Sequence, residues 1–256
     1  MRISSPLNFI KICKETRRSG LGRRETFRNA LRFWHDVKLF LKQNGKIDRY
    51  WPIINEFQAS AGTASGHYFH QDLLVAQYIY ERNAKRHLDI GSRIDGFVAH
   101  VASFREIHVM DIRPLGNCGH NNINFIQADL MQPQSSLIGK YDSVSCLHAL
   151  EHFGLGRYGD IVDPNGHRKG FSAIANIVAE GGILYISFPI GKPQVIFNAH
   201  RIFSPNSILD WAGDRFFLEA FDFIDDHGDL IRNAQPEDAM HLDHGCGIFS
   251  LRKTRQ

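Results

Sequence analysis

Apolar positions recur along this chain with two periods, and the switches between them mark its elements. The most informative run is 86–111, RHLDIGSRIDGFVAHVASFREIHVMD. His87 to Ile90 is a short apolar strand that breaks at Gly91, after which Ile94, Phe97, Val98, Val101 and Phe104 share one helix face. Residues 106–110 return to a strand that ends on Asp111. The alternation continues with strands at 124–128, ending on Asp129-Leu130, and at SVSCLH after Tyr141-Asp142. A helix with Phe171, Ile174, Ile177 and Val178 on one face is closed by Gly181-Gly182, and ILYISFP follows as a fifth strand. SPNSILDW predicts a helix with Ser204 as N-cap, Pro205 in its first turn and Gly213 as its stop. Residues 217–224 and 247–253 are two closing strands. Upstream, 67–83 predicts a helix buried through Phe69, Leu73, Ala76 and Tyr80 and ended by Asn83. Residues 24–43 predict another, with Phe27, Leu31, Trp34 and Lys38 or Leu41 on one face.

Strands and helices alternating at this spacing imply an α/β domain whose mostly parallel sheet is covered on both faces. The small-residue run AGTASG places a boundary near residue 60. It separates a basic helical extension over 1–60, expected to pack on the main domain, from the α/β domain over 61–256.

The opening unit also carries chemistry. Without a Cβ, Gly91 lets a ligand approach the backbone, and Asp111, at the end of the second strand, can accept hydrogen bonds from both ribose hydroxyls of a nucleoside. A dinucleotide would require G-x-G-x-x-G, but the second glycine is replaced by Arg93. The segment resembles motif I of class I S-adenosylmethionine-dependent methyltransferases, h-h-D-x-G-x-G-x-G. Asp89 and Gly91 are in place, while Arg93 and Asp95 stand at the later glycines. Tyr141-Asp142 and the Glu180-Gly181-Gly182 run resemble further segments of that superfamily, so the likeness spans 67–253. GSRIDGFVAH, SCLHALEHFGLGRYGD and FNAHRIFSP more closely resemble the domain-of-unknown-function 268 family, taken as bacterial and associated with surface polysaccharide genes.

The resemblance implies a three-layer Rossmann-like methyltransferase sheet, mostly parallel with an antiparallel last strand. It also implies an S-adenosyl-L-methionine site built from Tyr68, Asp89, Gly91, Ser92, Arg93, Asp111, Ile112, Asp129, Leu130 and Leu147. Asp129 would face the adenine amino group. His67, Tyr68, His70 and Gln71 would lie at the mouth, over the methionine end.

Reaction chemistry is expected in two segments. In 146–170, His148, Glu151 and His152 share a turn, and a histidine there suits removal of an acceptor proton, with Glu151 fixing its tautomer. The same three can be read as metal ligands, although the spacing is not H-E-x-x-H and no metal is expected. Five glycines then make a polar loop, expected to be mobile, that carries Arg157 and Tyr158. In 189–205, Asn198, His200 and Arg201 could hold a hydroxylated or anionic acceptor. The expected activity is O-methylation of a sugar, glycan or other small polar acceptor. The alternatives are a nucleoside- or nucleotide-sugar-binding protein without transfer and, third, a nicotinamide-dependent oxidoreductase.

Composition narrows the setting. No apolar run reaches the roughly 18 residues of a membrane-spanning helix, and the N-terminus does not read as a secretory signal. The four cysteines are scattered, which fits reduced thiols in the cytoplasm. Residues 1–49 hold 13 Lys and Arg against 4 acids, while the remainder holds 17 against 23. The basic segment therefore suits a solvated face or peripheral contact with an acidic partner or membrane surface. No motif points to nucleic acid.

Overall fold

A computed structural model describes residues 22–132 and 134–255. The chain divides into two compact units, Met1–Thr63 and Ala64–Gln256. In the first, helix α1 (Arg23–Lys42) packs Ala30, Phe33 and Trp34 against Ile54 and Phe57, and Asn29 Nδ2 donates to the Ile54 carbonyl at 2.8 Å. The packed face is therefore offset from the expected one, since Phe27, Leu31 and Leu41 are exposed. The residues that fold back on the helix select its inner face, and intrinsic periodicity does not encode them. The first 21 residues lie outside those described. No helix among the described residues is long and apolar enough to cross a membrane.

The second unit holds one eight-stranded sheet. Its strands are β1 (His87–Ile90), β2 (Ile107–Asp111), β3 (Ile123–Gln127), β4 (Tyr141–Leu147), β5 (Val178–Ile190), β8 (Phe216–Ile224), β9 (Leu230–Ile231) and β10 (Gly245–Lys253). A small hairpin, β6 (Gln194–Ile196) with β7 (His200–Ile202), stands apart. The order is β3-β2-β1-β4-β5-β10-β8-β9. Strands β1 to β5 pair in parallel, and β10 runs antiparallel between β5 and β8. The mostly parallel sheet with a reversed closing strand is thus present, extended by the short β9.

Side chains alternate across the sheet into two cores. Leu88, Ile90, Val144, Leu184, Ile186 and Phe188 face helices α4 (Gly166–Ile177) and α5 (Ser207–Ala212). Ile107, Val109, Ile183, Tyr185 and Ile248 face helix α2 (His67–Arg82) and the segment after β1.

Four local expectations are corrected. The buried face of α2 is Gln71, Asp72, Leu74, Val75, Ala76 and Ile79, while Phe69, Leu73 and Tyr80 are exposed. Gln71 can face inward because its Oε1 accepts from Ser187 Oγ at 2.6 Å and its Nε2 donates to Asp72 Oδ1. The helix after β1 is a π-turn, Ile94–Val98, kinked at Gly96 and followed by the short helix α3 (Ala99–Ala102). Phe104 falls beyond it, exposed and edge-on to Tyr80. Helix α4 ends at Ile177, where Lys253 Nζ takes the Ala175 and Val178 carbonyls at 2.7 and 2.6 Å, and Gly181, at φ +69°, instead turns a bulge early in β5. Helix α5 starts after Asn206, because the backbone of Phe203 is bonded to the end of β5 and holds Ser204-Pro205 outside.

Candidate functional site

Strand order reverses between β1 and β4, and a crevice of about 510 Å³, its open mouth included, lies beyond their carboxyl ends. Each lining group follows a strand: Gly91 after β1, Ile112 and Arg113 after Asp111 at the end of β2, Asp129 and Leu130 after β3, and Ala149, His152 and Phe153 after β4. Tyr158 and Asp160 close one side from the glycine-rich loop. Gly91 sits at φ +77°, its N–H donates to the Met110 carbonyl, and a Cβ there would come within 2.8 Å of the Ala149 Cβ. Only glycine fits that turn without strain.

Asp89 supports the turn from below. Its buried carboxylate accepts from Ser92 N–H (3.1 Å), Ser92 Oγ (2.8 Å) and Ser145 Oγ (2.6 Å). Burial pushes this carboxyl up to about 7 despite those three bonds. His87 Nδ1 and Nε2 lie 2.8 Å from Ser143 Oγ and 3.1 Å from Ser145 Oγ; burial, then the charge of Arg105, lowers its pKa to about 3. His87, Ser145 and Asp89 thus form a neutral-histidine chain beneath β1.

At the mouth, the Asp111 carboxylate is gripped by the Arg113 guanidinium, Nε at 2.9 Å and Nη2 at 2.5 Å, and also accepts from the Arg113 N–H at 2.8 Å. The guanidinium lies 4.7 Å over the Tyr158 ring. Asp129 Oδ1 accepts from the Met131 N–H at 2.9 Å.

Beyond β4, the backbone of His148 is left-handed at φ +48° and its N–H donates to the Ser187 carbonyl. Its Nδ1 is 2.9 Å from Glu151 Oε1, while His148 Nε2 and Glu151 Oε2 are buried without a partner. Burial opposes a charge on His148, yet the Cys246 sulfur and the Glu151 carboxylate lift its pKa well above the usual imidazole range. His152 Nδ1 donates to the Ala199 carbonyl at 2.6 Å, which leaves Nε2 with the lone pair, 3.7 Å from Glu151 Oε1. Burial lowers the pKa of His152 against the pull of Glu151.

The glycine-rich loop is tied rather than loose. Asp160 collects the N–H groups of Gly154, Gly156 and Tyr158, and a Cβ on Gly154 would meet the Asp163 carbonyl at 2.1 Å.

A family model described as "Caenorhabditis protein of unknown function, DUF268" matches residues 120–235. Two of the three stretches that carried that resemblance lie inside the match. The description names Caenorhabditis, whereas the resemblance was to a family taken as bacterial. No curated protein matches the chain. Among solved structures, the N-methyltransferase NodS from Bradyrhizobium japonicum, in complex with S-adenosyl-L-homocysteine, is similar at 12% identity and a TM-score of 0.50, over 74% of this chain and 89% of that one. The cyclase SpnF is similar at 14% identity and a TM-score of 0.55, over 82% and 85%. The CurJ carbon methyltransferase is similar at 11% identity and a TM-score of 0.51, over 72% and 54%. The fold is the Rossmann-like methyltransferase fold.

Of the expected site residues, Gly91, Asp111, Ile112, Asp129, Leu130, His152 and Tyr158 line one crevice. Ser92 and Arg93 line an adjoining groove. Arg93 pairs with Asp95 at 2.7 Å, both largely exposed, so neither fills the space left by the absent glycines. Tyr68 is exposed, with its ring 5.2 Å from that of His148.

Other expectations are corrected. Leu147 packs in the core beneath the sheet and does not line the crevice, and the oxygens of Asp89 are spent on serines. Arg201 is buried as a strap, donating to the carbonyls of Glu151, Phe153 and Pro164, so it is not free for an acceptor. Arg157 Nη1 donates to the Ala199 carbonyl, Asn198 is an exposed turn residue at φ +65°, and His200 Nε2 is buried without a partner.

Sequence reasoning missed Arg113, Ala149, Phe153 and Asp160. The pairing of Arg113 with an acid two residues earlier was a readable signal. It also gave no warning that Cys246 would stand beside His148 and His67.

Proposed function

We propose that this chain is an S-adenosylmethionine-dependent methyltransferase acting on a hydroxyl of a sugar, glycan or other small polar acceptor, in a reducing, cytoplasmic setting. The observation that carries the reading is the single crevice that joins the Gly91 turn, the carboxylates of Asp111 and Asp129, and His152. The residues fit the cofactor's adenosine: Asp111 supplies ribose acceptors, Asp129 an acceptor for the adenine amino group, and Ile112 and Leu130 apolar contact. When bound, the cofactor supplies an electrophilic methyl group whose transfer discharges its sulfonium. The protein must align the acceptor and take up its proton. His152 suits the second task, because Ala199 anchors its Nδ1–H and Nε2 stays unprotonated near neutral pH. Glu151, 3.7 Å from Nε2, stabilises the charge that develops. Tyr158, with guanidinium groups 4.7 and 5.2 Å from its ring, offers an aromatic contact to a sugar.

Isothermal calorimetry with S-adenosylhomocysteine tests the cofactor half, and binding of reduced nicotinamide dinucleotide instead would refute it. For the base, His152→Ala should lower turnover by about 100-fold or more with cofactor affinity nearly unchanged. Unchanged turnover would remove that role.

A further inference from the structure

Three elements far apart in sequence meet beside the crevice. His67 opens α2, His148 leaves β4, and Cys246 stands second in β10. Because β10 runs against the parallel strands, its start lies at the end of the sheet where those strands finish, so the thiol arrives beside the β4 exit. One ligand atom from each of the three lies within 4.8 Å of the others.

The geometry points to a metal centre, and we infer that His67, His148 and Cys246 together bind a zinc ion. The side chain of His148 is only 7% exposed, and its Nε2 has no partner although it is buried. Its other nitrogen is held by Glu151 at 2.9 Å, the carboxylate–imidazole arrangement that orients a ligating histidine. His148 is also kept in a left-handed backbone, which is unfavourable for a non-glycine residue. A buried, unpartnered Nε2 with a thiol and a second imidazole close by makes sense of that cost once a cation joins the three.

The His67 ring stacks 5.3 Å from that of His148. The hydrogen bonds that Cys246 donates, to Gln71 Oε1 at 4.0 Å and the Gly247 carbonyl at 3.8 Å, are long, and its sulfur lies within 4.8 Å of a ring nitrogen of each histidine. Tetrahedral zinc places such donors about 3.3–3.6 Å apart, within reach of small side-chain rotations. One thiolate and two imidazoles favour zinc over magnesium or calcium, and three protein ligands leave a fourth position open. Ala149, the residue after His148, lines the crevice, so the ion would sit next to it. If the methyltransferase reading holds, an acceptor hydroxyl can bind there and lose its proton more easily. The ion's presence does not rest on that reading.

Reduced full-length protein should carry about one zinc per chain by elemental analysis. Cobalt(II) should give it a near-ultraviolet thiolate-to-metal charge-transfer band, lost in Cys246→Ser and kept in Cys146→Ser, whose thiol is buried elsewhere on β4. His67→Ala, at a half-buried helix start, should weaken zinc binding at least 100-fold or so with its circular dichroism unchanged. Absence of the band in folded wild-type protein, its survival in Cys246→Ser, or full affinity in His67→Ala would overturn the site. S-adenosylhomocysteine calorimetry on the same samples reports the cofactor reading separately.

Discussion

If Asp111 receives the ribose, it must first release Arg113, and the two requirements set opposite signs for two substitutions. Asp111→Asn removes a charged hydrogen-bond acceptor, which costs about 1.5–3 kcal/mol. The wild type, however, gives up the Arg113 contacts on binding. That pair is partly exposed, with Asp111 at 10% and Arg113 at 44%, so the contacts are worth about 0.5–1 kcal/mol. The net loss in Asp111→Asn is then about 0.5–2.5 kcal/mol, a Kd roughly 2- to 70-fold weaker. Arg113→Ala removes the competitor and should tighten binding by up to about 1 kcal/mol, or roughly fivefold. Calorimetric titration of both variants and the double mutant with S-adenosylhomocysteine reads each term, and the double mutant should behave like Asp111→Asn alone. Unchanged affinity in Asp111→Asn refutes the ribose role. Weaker binding in Arg113→Ala refutes the competition and makes Arg113 part of the cofactor site.

Two further outcomes probe the support beneath the crevice. His87 has its folded-state pKa lowered to about 3, so the unfolded chain binds the extra proton first, and stability present above about pH 6.5 declines as pH falls toward 3. Between pH 6.5 and 5 this amounts to about 2 kcal/mol in urea denaturation. His87→Gln should remove that slope, and the comparison cancels the opposite contribution of Asp89, raised to about 7, whose stabilisation is lost as pH rises from about 4 to 7. Parallel pH profiles for the two proteins would contradict the neutral-histidine chain. Gly91→Ala should destabilise the fold by about 2–3 kcal/mol through its left-handed backbone and the contact with Ala149. Ala149→Gly in the same chain should restore part of that loss, and strictly additive effects would deny the contact.

Much of the fold was legible because period is a local property. Residues alternating at β1, β2 and β4 and recurring at helical spacing around Ile174 carry their structure wherever the chain puts them, and strand–helix alternation then implies a parallel sheet. Gly91 and Asp111 were legible for a similar reason, since a strand end followed by a turn fixes both positions within one short unit. The faces of α1 and α2 were not. Gln71 is buried and Leu73 exposed because Ser187, on a strand more than a hundred residues later, supplies a hydrogen bond that no local pattern contains. Arg201 looked free and is a buried strap, because three carbonyls from another loop converge on it. By itself the sequence determined the order of elements and the turn that opens the crevice. Only the closing of the sheet, with β10 reversed beside β5, brought Cys246 to His148 and His67, since contacts across such separations follow from topology and packing rather than from neighbouring residues.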